Sequence, residues 1–400
     1  MSDDSLARAG LVETEVDWWT VLTDPDYLES PYADLKRLRE LGPVHCDSAT
    51  GGFFVLGYEA FRSMATLRDM GRDTRLWSNG WNRDEVRQND PLTYELFREF
   101  QPQVTNANSP DHRRMRGVCE KACRAADLTP HLPMIVAECR RLLDGVPVGS
   151  TFDFMETVAI PPEMEDQVAR WIVDLGFIGN IMMSPEQKQN AQTALREFKD
   201  YLRERFAFGI DVSGGGFVGM TLQALADGTM DEEENLSNLV TLIAGGTATA
   251  TFLGNGLLAL LRHPDQFEEL RADRALLPSA IEEMLRFEPG CSSIIRVAIN
   301  DFQCGDTRIP KGALAIDLMG ATNRDPDVFD IVRRPNAHHV FDTGAHVCLG
   351  KTLVRMTAEA LFTELMDRFK RIELAGDPVW WAHRSDQHGL HTLPIKVGTA

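Results

Sequence analysis

The sequence predicts a mainly α-helical fold with a small β region, in a single large domain spanning residues 1–400. Three observations predict it. Apolar residues recur at helical spacing from Thr229 to Pro264, and again from Leu349 to Phe369, while strand-like alternation is confined to residues 44–56 and the C-terminal end. No internal repeat, low-complexity tract or linker divides the chain.

Along the chain, residues 1–30 read as an N-terminal extension whose acidic start, Met1-Ser-Asp-Asp4, is unlike a secretory leader. Val44 to Leu56, broken at Thr50-Gly51-Gly52, reads as a β-hairpin. Residues 71–108 are polar, spotted with aromatics and weak in periodicity. Ser109-Pro-Asp-His-Arg-Arg-Met-Arg116 reads as a helix start, with Ser109 as cap, Pro110 in the first turn and Asp111 at the positive end. His112 and Arg116, four apart, share a face of that helix. Gly209 to Gly219 reads as a loop.

Thr229 with Glu232 makes a capping box, and the helix it opens runs to Pro264. At ~1.5 Å per residue it spans roughly 50 Å and crosses the whole protein. Pro278 to Arg286 reads as a short helix with proline at its start and Glu283 and Arg286 on one face. The last segments, such as Leu393-Pro-Ile-Lys-Val397, alternate short strands with turns.

Composition bounds the function. The net charge of −19 argues against nucleic acid or an anionic membrane as partner. No uninterrupted apolar stretch reaches the length of about 18 residues that a membrane span needs. Seven cysteines without metal or disulfide spacing fit a reducing cytoplasm.

The chemistry concentrates in Phe341-Asp-Thr-Gly-Ala-His-Val-Cys-Leu-Gly350, which runs into the helix bearing the stripe Leu349, Leu353, Met356, Ala360, Leu361, Leu365 and Phe369. Backbone N–H groups at that helix start favour negative charge, so Cys348 is expected to ionise more readily than a free thiol. Gly344 and Gly350 let backbone approach something flat on the sulfur side. One rigid thiolate without a second cysteine beside it suits a single axial bond to haem iron. The spacing F-x-x-G-x-H-x-C-x-G resembles the haem-binding signature of the cytochrome P-450 family, with Phe341, Gly344, His346, Cys348 and Gly350 in place. One position departs: the family usually carries glycine after the phenylalanine, and this chain has Asp342.

The resemblance extends from about residue 30 to the C-terminus and implies the cytochrome P-450 fold, with the long helix over a haem b. Cys348 would be the metal ligand. His112, Arg116, Arg296 and His346 resemble the family's contacts to the haem carboxylates. Glu283 and Arg286 match its E-x-x-R clamp beneath the haem loop; the connecting segment is shorter than usual between Phe329 and Arg333, which leaves the clamp's partner open. Ala244-Gly-Gly-Thr-Ala248 resembles the oxygen-binding segment A-G-x-(acid)-T, but Thr247 stands at the acid position and Ala248 at the usual threonine. Thr249 lies one residue, or 100° of helix, further on and would realign only through a local bulge. By position in the family Trp81, Val240, Ala244, Ser292, Ser293, Ile295 and Gln387, with His383 to His388, line the substrate pocket and give it polarity.

The implied enzyme is a haem-thiolate monooxygenase acting with dioxygen on a small polar or aromatic natural product. Electrons would come from NAD(P)H through a ferredoxin reductase and a ferredoxin, since no flavin or nicotinamide fingerprint is present. Arg113, Arg114, Lys121, Arg124, Lys351 and Arg355 would steer an acidic ferredoxin to the thiolate side. An oxidative coupling or ring-closing enzyme without oxygen insertion is the alternative that suits Ala248. A non-catalytic haem-binding protein is a more distant one, with no sensor or output domain to support it.

Overall fold

The computed structural model describes residues 18–47, 50–66, 69–158, 166–179, 183–207, 216–324, 326–381 and 385–399. Most of the expected N-terminal extension, residues 209–215 of the expected loop, and His383 and Arg384 of the expected pocket segment lie outside the described residues.

The long central helix extends from Glu232 to Arg262. It comprises two segments, Glu232–Ala244 and Thr247–Arg262, joined through Gly245 and Gly246. Its cap lies two residues beyond the expected Thr229–Glu232 pair. The Asp231 carboxylate accepts from the Glu234 N–H at 2.8 Å, and the Glu234 carboxylate accepts from the Asp231 N–H at 3.1 Å. Thr229 instead donates to Asp227 at 2.5 Å. Charged acceptors at the positive end of a helix outcompete a hydroxyl.

Each half of the central helix packs into its own cluster. Leu236, Leu239 and Val240 meet Trp171, Ile172, Leu195 and Phe198 from the helices Asp166–Gly176 and Pro185–Ala207. Leu253, Leu257 and Leu258 meet Ile281 and Met284 of the clamp helix Leu277–Phe287, and Leu361, Phe362 and Leu365 of the thiolate helix Lys351–Arg368. A Cβ on Gly256 would come within 3.0 Å of the Met284 sulfur, so glycine sets that close approach. The central helix is the one helix among the described residues long and apolar enough to cross a membrane, yet both halves are spent on these internal contacts.

The expected hairpin forms, Val44–Cys46 pairing antiparallel with Phe53–Val55. It belongs to a five-stranded sheet with the order Val44–Cys46, Phe53–Val55, Leu314–Leu318, Ser293–Ala298, Met70–Gly71. The C-terminal strand Pro394–Gly398 lies between Thr151–Asp153 and Arg371–Leu374. Three local expectations are corrected. Residues 91–100, read as aperiodic, form a helix capped by Asp90, whose carboxylate accepts from the Thr93 N–H. Ser109 caps nothing: the helix Asp111–Ala122 has no side-chain cap, and the His112 N–H bonds the Asn108 carbonyl. Gly216 to Gly219 open a helix, Gly216–Ala226, rather than closing a loop.

The clamp helix carries the interaction that ties these layers together. Glu283, fully buried, takes two hydrogen bonds of 2.8 Å from Arg286, one of 3.1 Å from Arg333, one of 3.0 Å from Asn336, and one of 2.7 Å from the Asp330 N–H. Arg286 in turn donates to the Asn323, Pro326 and Val328 carbonyls. Arg333 and Asn336 are therefore the clamp's partners despite the shortened segment. Removing one member of a buried charge network costs about 3–5 kcal/mol, because the partner stays buried and unpaired. Glu283→Ala is expected to lose that much in denaturant unfolding or to fail to accumulate folded; by contrast, Arg37→Ala, at an exposed pair, should stay within ~0.5 kcal/mol.

Candidate active site

The loop before the thiolate helix is shaped by two left-handed residues, Asp342 at φ 58° and Gly344 at φ 70°. It closes when the Cys348 N–H donates to the Phe341 carbonyl at 2.7 Å. The Gly350 and Lys351 amides bond the Cys348 sulfur from the helix start. Desolvation by the surrounding protein nevertheless pushes the thiol above its ordinary value, against those amides, Arg116 and Lys351, although the residue itself keeps solvent-accessible surface. The helix-end effect expected from sequence is present, but desolvation outweighs it. A metal deprotonates a coordinating thiol outright, so this leaves the ligand role intact.

Cys348 is the one exposed cysteine among the described residues. On the other side of the loop Arg355 lies 4.6 Å from the centre of the Phe341 ring and pairs with Glu282, which also meets His338 at 3.0 Å. Burial works against the Glu282 carboxylate, yet Arg355 and His338 hold its pKa down to about 2. Phe341 is thereby fixed from outside as well as by its own backbone.

Beside the loop, three arginines and two histidines from four separate segments converge. The rings of His112 and His346 stand 4.0 Å apart. Arg116 follows one turn after His112, and Arg296 comes from the strand Ser293–Ala298. Sequence reasoning missed the fifth member, Arg72, because it carries no motif and reaches the cluster only through the sheet. Its N–H bonds the Asn108 side chain at 2.8 Å, and its guanidinium donates to the Ile295 carbonyl at 2.8 Å. Burial, then Arg72, His112, Arg296 and Arg116, lower the His346 pKa to about 2, so its ring is neutral. Burial and the same arginines Arg116 and Arg72 lower His112. Asp342 meets this cluster, accepting from Arg296 at 2.5 Å. The His112 Nε2 and Arg296 Nε atoms are buried without a hydrogen-bond partner. Surplus donors around an accessible sulfur fit a flat, dianionic group such as haem, which Cys348 would ligate and Arg72, Arg116, Arg296 and the two histidines would hold by its carboxylates.

The central helix meets these elements through Leu242, which packs in one cluster with Met115 and Leu349, and it opens just beyond that contact. Ile243, Gly245 and Gly246 are exposed and residues 247–250 partly so, whereas Val240 and Phe252 on either side are buried. The joint is tight, with Gly246 N–H to Ile243 carbonyl and Thr249 N–H to Gly246 carbonyl, both spaced by three residues. Such turns tighten the helix, whereas a bulge that realigns a residue widens it to bonds spaced by five. The bulge that would realign Thr249 is therefore absent. Thr247 spends its hydroxyl on the Ala244 carbonyl at 2.9 Å.

The expected pocket residues divide. Gln387 reaches the central helix, accepting from the Thr251 hydroxyl at 3.4 Å, and Ser292 is held by the Asp386 carbonyl at 2.8 Å. Both line a small open cleft with Tyr27, Tyr32, Cys291 and His388, whose lining includes neither Cys348 nor a member of the cation cluster. Strand alternation sets Ile294 and Arg296 on one face and Ile295 and Val297 on the other, so Ser293 and Ile295 face away from the cation cluster. Val240 is packed inside a helix cluster, and Trp81 is a buried residue bonded to Thr74 at 3.0 Å. Of the expected docking cations, Arg114 is taken by Glu234 at 2.6 Å and Arg355 by Glu282 at 2.5 Å, whereas Arg113, Lys121, Arg124 and Lys351 are exposed.

Comparison with known proteins points to one family. The sequence model of the family described as cytochrome P450 matches residues 181–398. The "Biotin biosynthesis cytochrome P450" of Bacillus subtilis is 30% identical, over 92% of this chain and 97% of that protein. The "Cytochrome P450 monooxygenase PikC" of Streptomyces venezuelae is 30% identical, over 93% and 92%. Among solved structures, "the cytochrome P450 enzyme CxnD for C-S bond formation in chuangxinmycin biosynthesis" superposes with a TM-score of 0.81 at 27% identity, covering 98% of both chains.

Proposed function

The chain belongs to the cytochrome P450 family of haem-thiolate oxidoreductases, and on that premise we propose that it oxidises a small polar or aromatic natural product, fed by a ferredoxin, with Cys348 as axial ligand. The carrying observation is the exposed Cys348, its sulfur held by two helix-start amides beside a cluster of three arginines and two histidines that contains a single buried carboxylate, Asp342. Haem, when bound to a thiolate, supplies dioxygen activation and the oxidising equivalent. The protein's own residues supply the rest. Arg72, Arg116, Arg296, His112 and His346 orient the group, and the Phe341 loop shields the sulfur from one side. Gly245, Gly246 and Ala248 leave space for substrate. Ser292, Gln387 and Thr251 offer it hydrogen bonds.

Protons have no alcohol at Ala248 to travel through, and Thr247 and Thr249 do not replace it. Delivery then depends on water ordered by the substrate, or on a hydroxyl of the substrate itself. That feature favours a second reading, oxidative coupling or ring closure without oxygen insertion. Such chemistry needs less controlled proton delivery. C–S bond formation, the role named for the solved relative CxnD, is bond-making of this general kind.

Three tests follow from these assignments. The reduced protein with carbon monoxide should show the red-shifted Soret band of thiolate ligation, and Cys348→Ala should abolish it; persistence in the variant assigns the ligand elsewhere. Arg113→Glu or Lys351→Glu should slow reduction by an acidic ferredoxin roughly tenfold without altering substrate binding. Rates should also fall as salt rises above ~0.1 M, where the Debye length is about 10 Å; salt-independent reduction counts against this docking face. Ala248→Thr should fold normally but yield less native product and more peroxide per NADH, by crowding the substrate or its ordered water. Unchanged coupling would make the segment simple packing.

A further inference from the structure

Asp342 occupies a position that fits glycine best. Its φ of 58° is one that L side chains rarely adopt, and it is the only non-glycine residue among those described with a positive φ. The side chain points into the cation cluster: Oδ1 accepts from Arg296 at 2.5 Å and from the Thr343 N–H at 2.6 Å, while Oδ2 is buried without a partner. The Arg296 and Asp342 side chains are 3% and 8% exposed, so water does little to screen them. Such a pair gains little net stability over apolar packing. A turn alone therefore gives no reason for a carboxylate here.

The charges of the cluster supply one. Arg72, Arg116 and Arg296 bring three permanent positive charges, since a guanidinium is not deprotonated in a protein. The nearby Glu120 carboxylate, 3.5 Å from Arg116, is 57% exposed and turned to water. Three positive charges less the one on Asp342 leave two, the number that the two carboxylates of a haem neutralise. Arg72 is the cation that the family signature does not include, and Asp342 is the carboxylate that it does not include.

We propose that Asp342 is a built-in counter-charge to Arg72. It anchors Arg296 and sets the charge of the cluster at the value two haem carboxylates cancel, and so holds the iron's reduction potential down. The inference rests on the haem site assigned above. A negative charge removed from near the iron favours the reduced state, and a positive charge removed favours the oxidised one.

The test is spectroelectrochemical titration of the haem-loaded full chain at low salt, for wild type, Asp342→Gly, Asp342→Asn, Arg72→Gln and the double variant Asp342→Asn/Arg72→Gln. Glycine and asparagine both tolerate the left-handed turn, so the loop is preserved while the charge is lost. Both single Asp342 variants should shift the potential positive by a similar amount. Arg72→Gln should shift it negative, and the double variant should return close to wild type. Unchanged potentials in both Asp342 variants would overturn the proposal, as would a shift in glycine but not asparagine, which would assign the effect to hydrogen-bond geometry. If Arg72→Gln does not take up haem, the two Asp342 variants decide alone. The carbon monoxide spectrum of the wild type separates the two levels. Without a thiolate band it is the haem site itself that fails; with the band and an immobile potential, only the counter-charge does.

Discussion

The structure depends on one buried carboxylate. Glu283 binds Arg286, Arg333, Asn336 and the Asp330 backbone at once, and Arg286 gathers three carbonyls from the segment leading toward the Phe341 loop. The next residue, Glu282, continues outward to Arg355 and His338 and steadies Phe341. Two adjacent glutamates on one short helix thus hold the inner and outer sides of the segment that presents Cys348. This network carries the segment that places the sulfur, whose local supports among the described residues are the Gly350 and Lys351 amides and the Phe341 carbonyl closure.

The second constraint is electrostatic. The chain is strongly acidic overall, yet it converges three arginines and two histidines on one cleft. Burial first, and then the neighbouring arginines, lower the pKa of both His346 and His112. A cluster held in that state stores affinity for an anion, and the arrangement of donors around an accessible sulfur selects a flat anion with an axial valence to offer. The central helix completes the cleft through small residues at its joint, giving access at the cost of the usual hydroxyl.

What the sequence revealed was local. Cys348 with its glycines, Glu283 with Arg286, and His112 with Arg116 each lie within one turn or loop, so the resemblance to a family's short motifs could single them out. Arg72 was invisible, and the segment Arg333 to Asn336 could be matched to the family but not paired with Glu283, because tertiary folding brings these groups together across gaps that no pattern spans. The cap moved from Thr229–Glu232 to Asp231–Glu234 because both pairs satisfy the same spacing and only charge separates them. Ser293 and Ile295 were placed toward the pocket by position, but alternation along the strand favours the face of Ile294. Arg114 and Arg355 looked like free surface cations until their long-range partners Glu234 and Glu282 were seen.

The central claim is that one loop and one cluster, assembled from distant segments, together hold a haem. A crystal structure of the haem-loaded protein tests it most directly. The account predicts iron bonded to the Cys348 sulfur, and both haem carboxylates among Arg72, Arg116, Arg296, His112 and His346. Iron on another residue, or carboxylates directed away from that cluster into solvent, would contradict it.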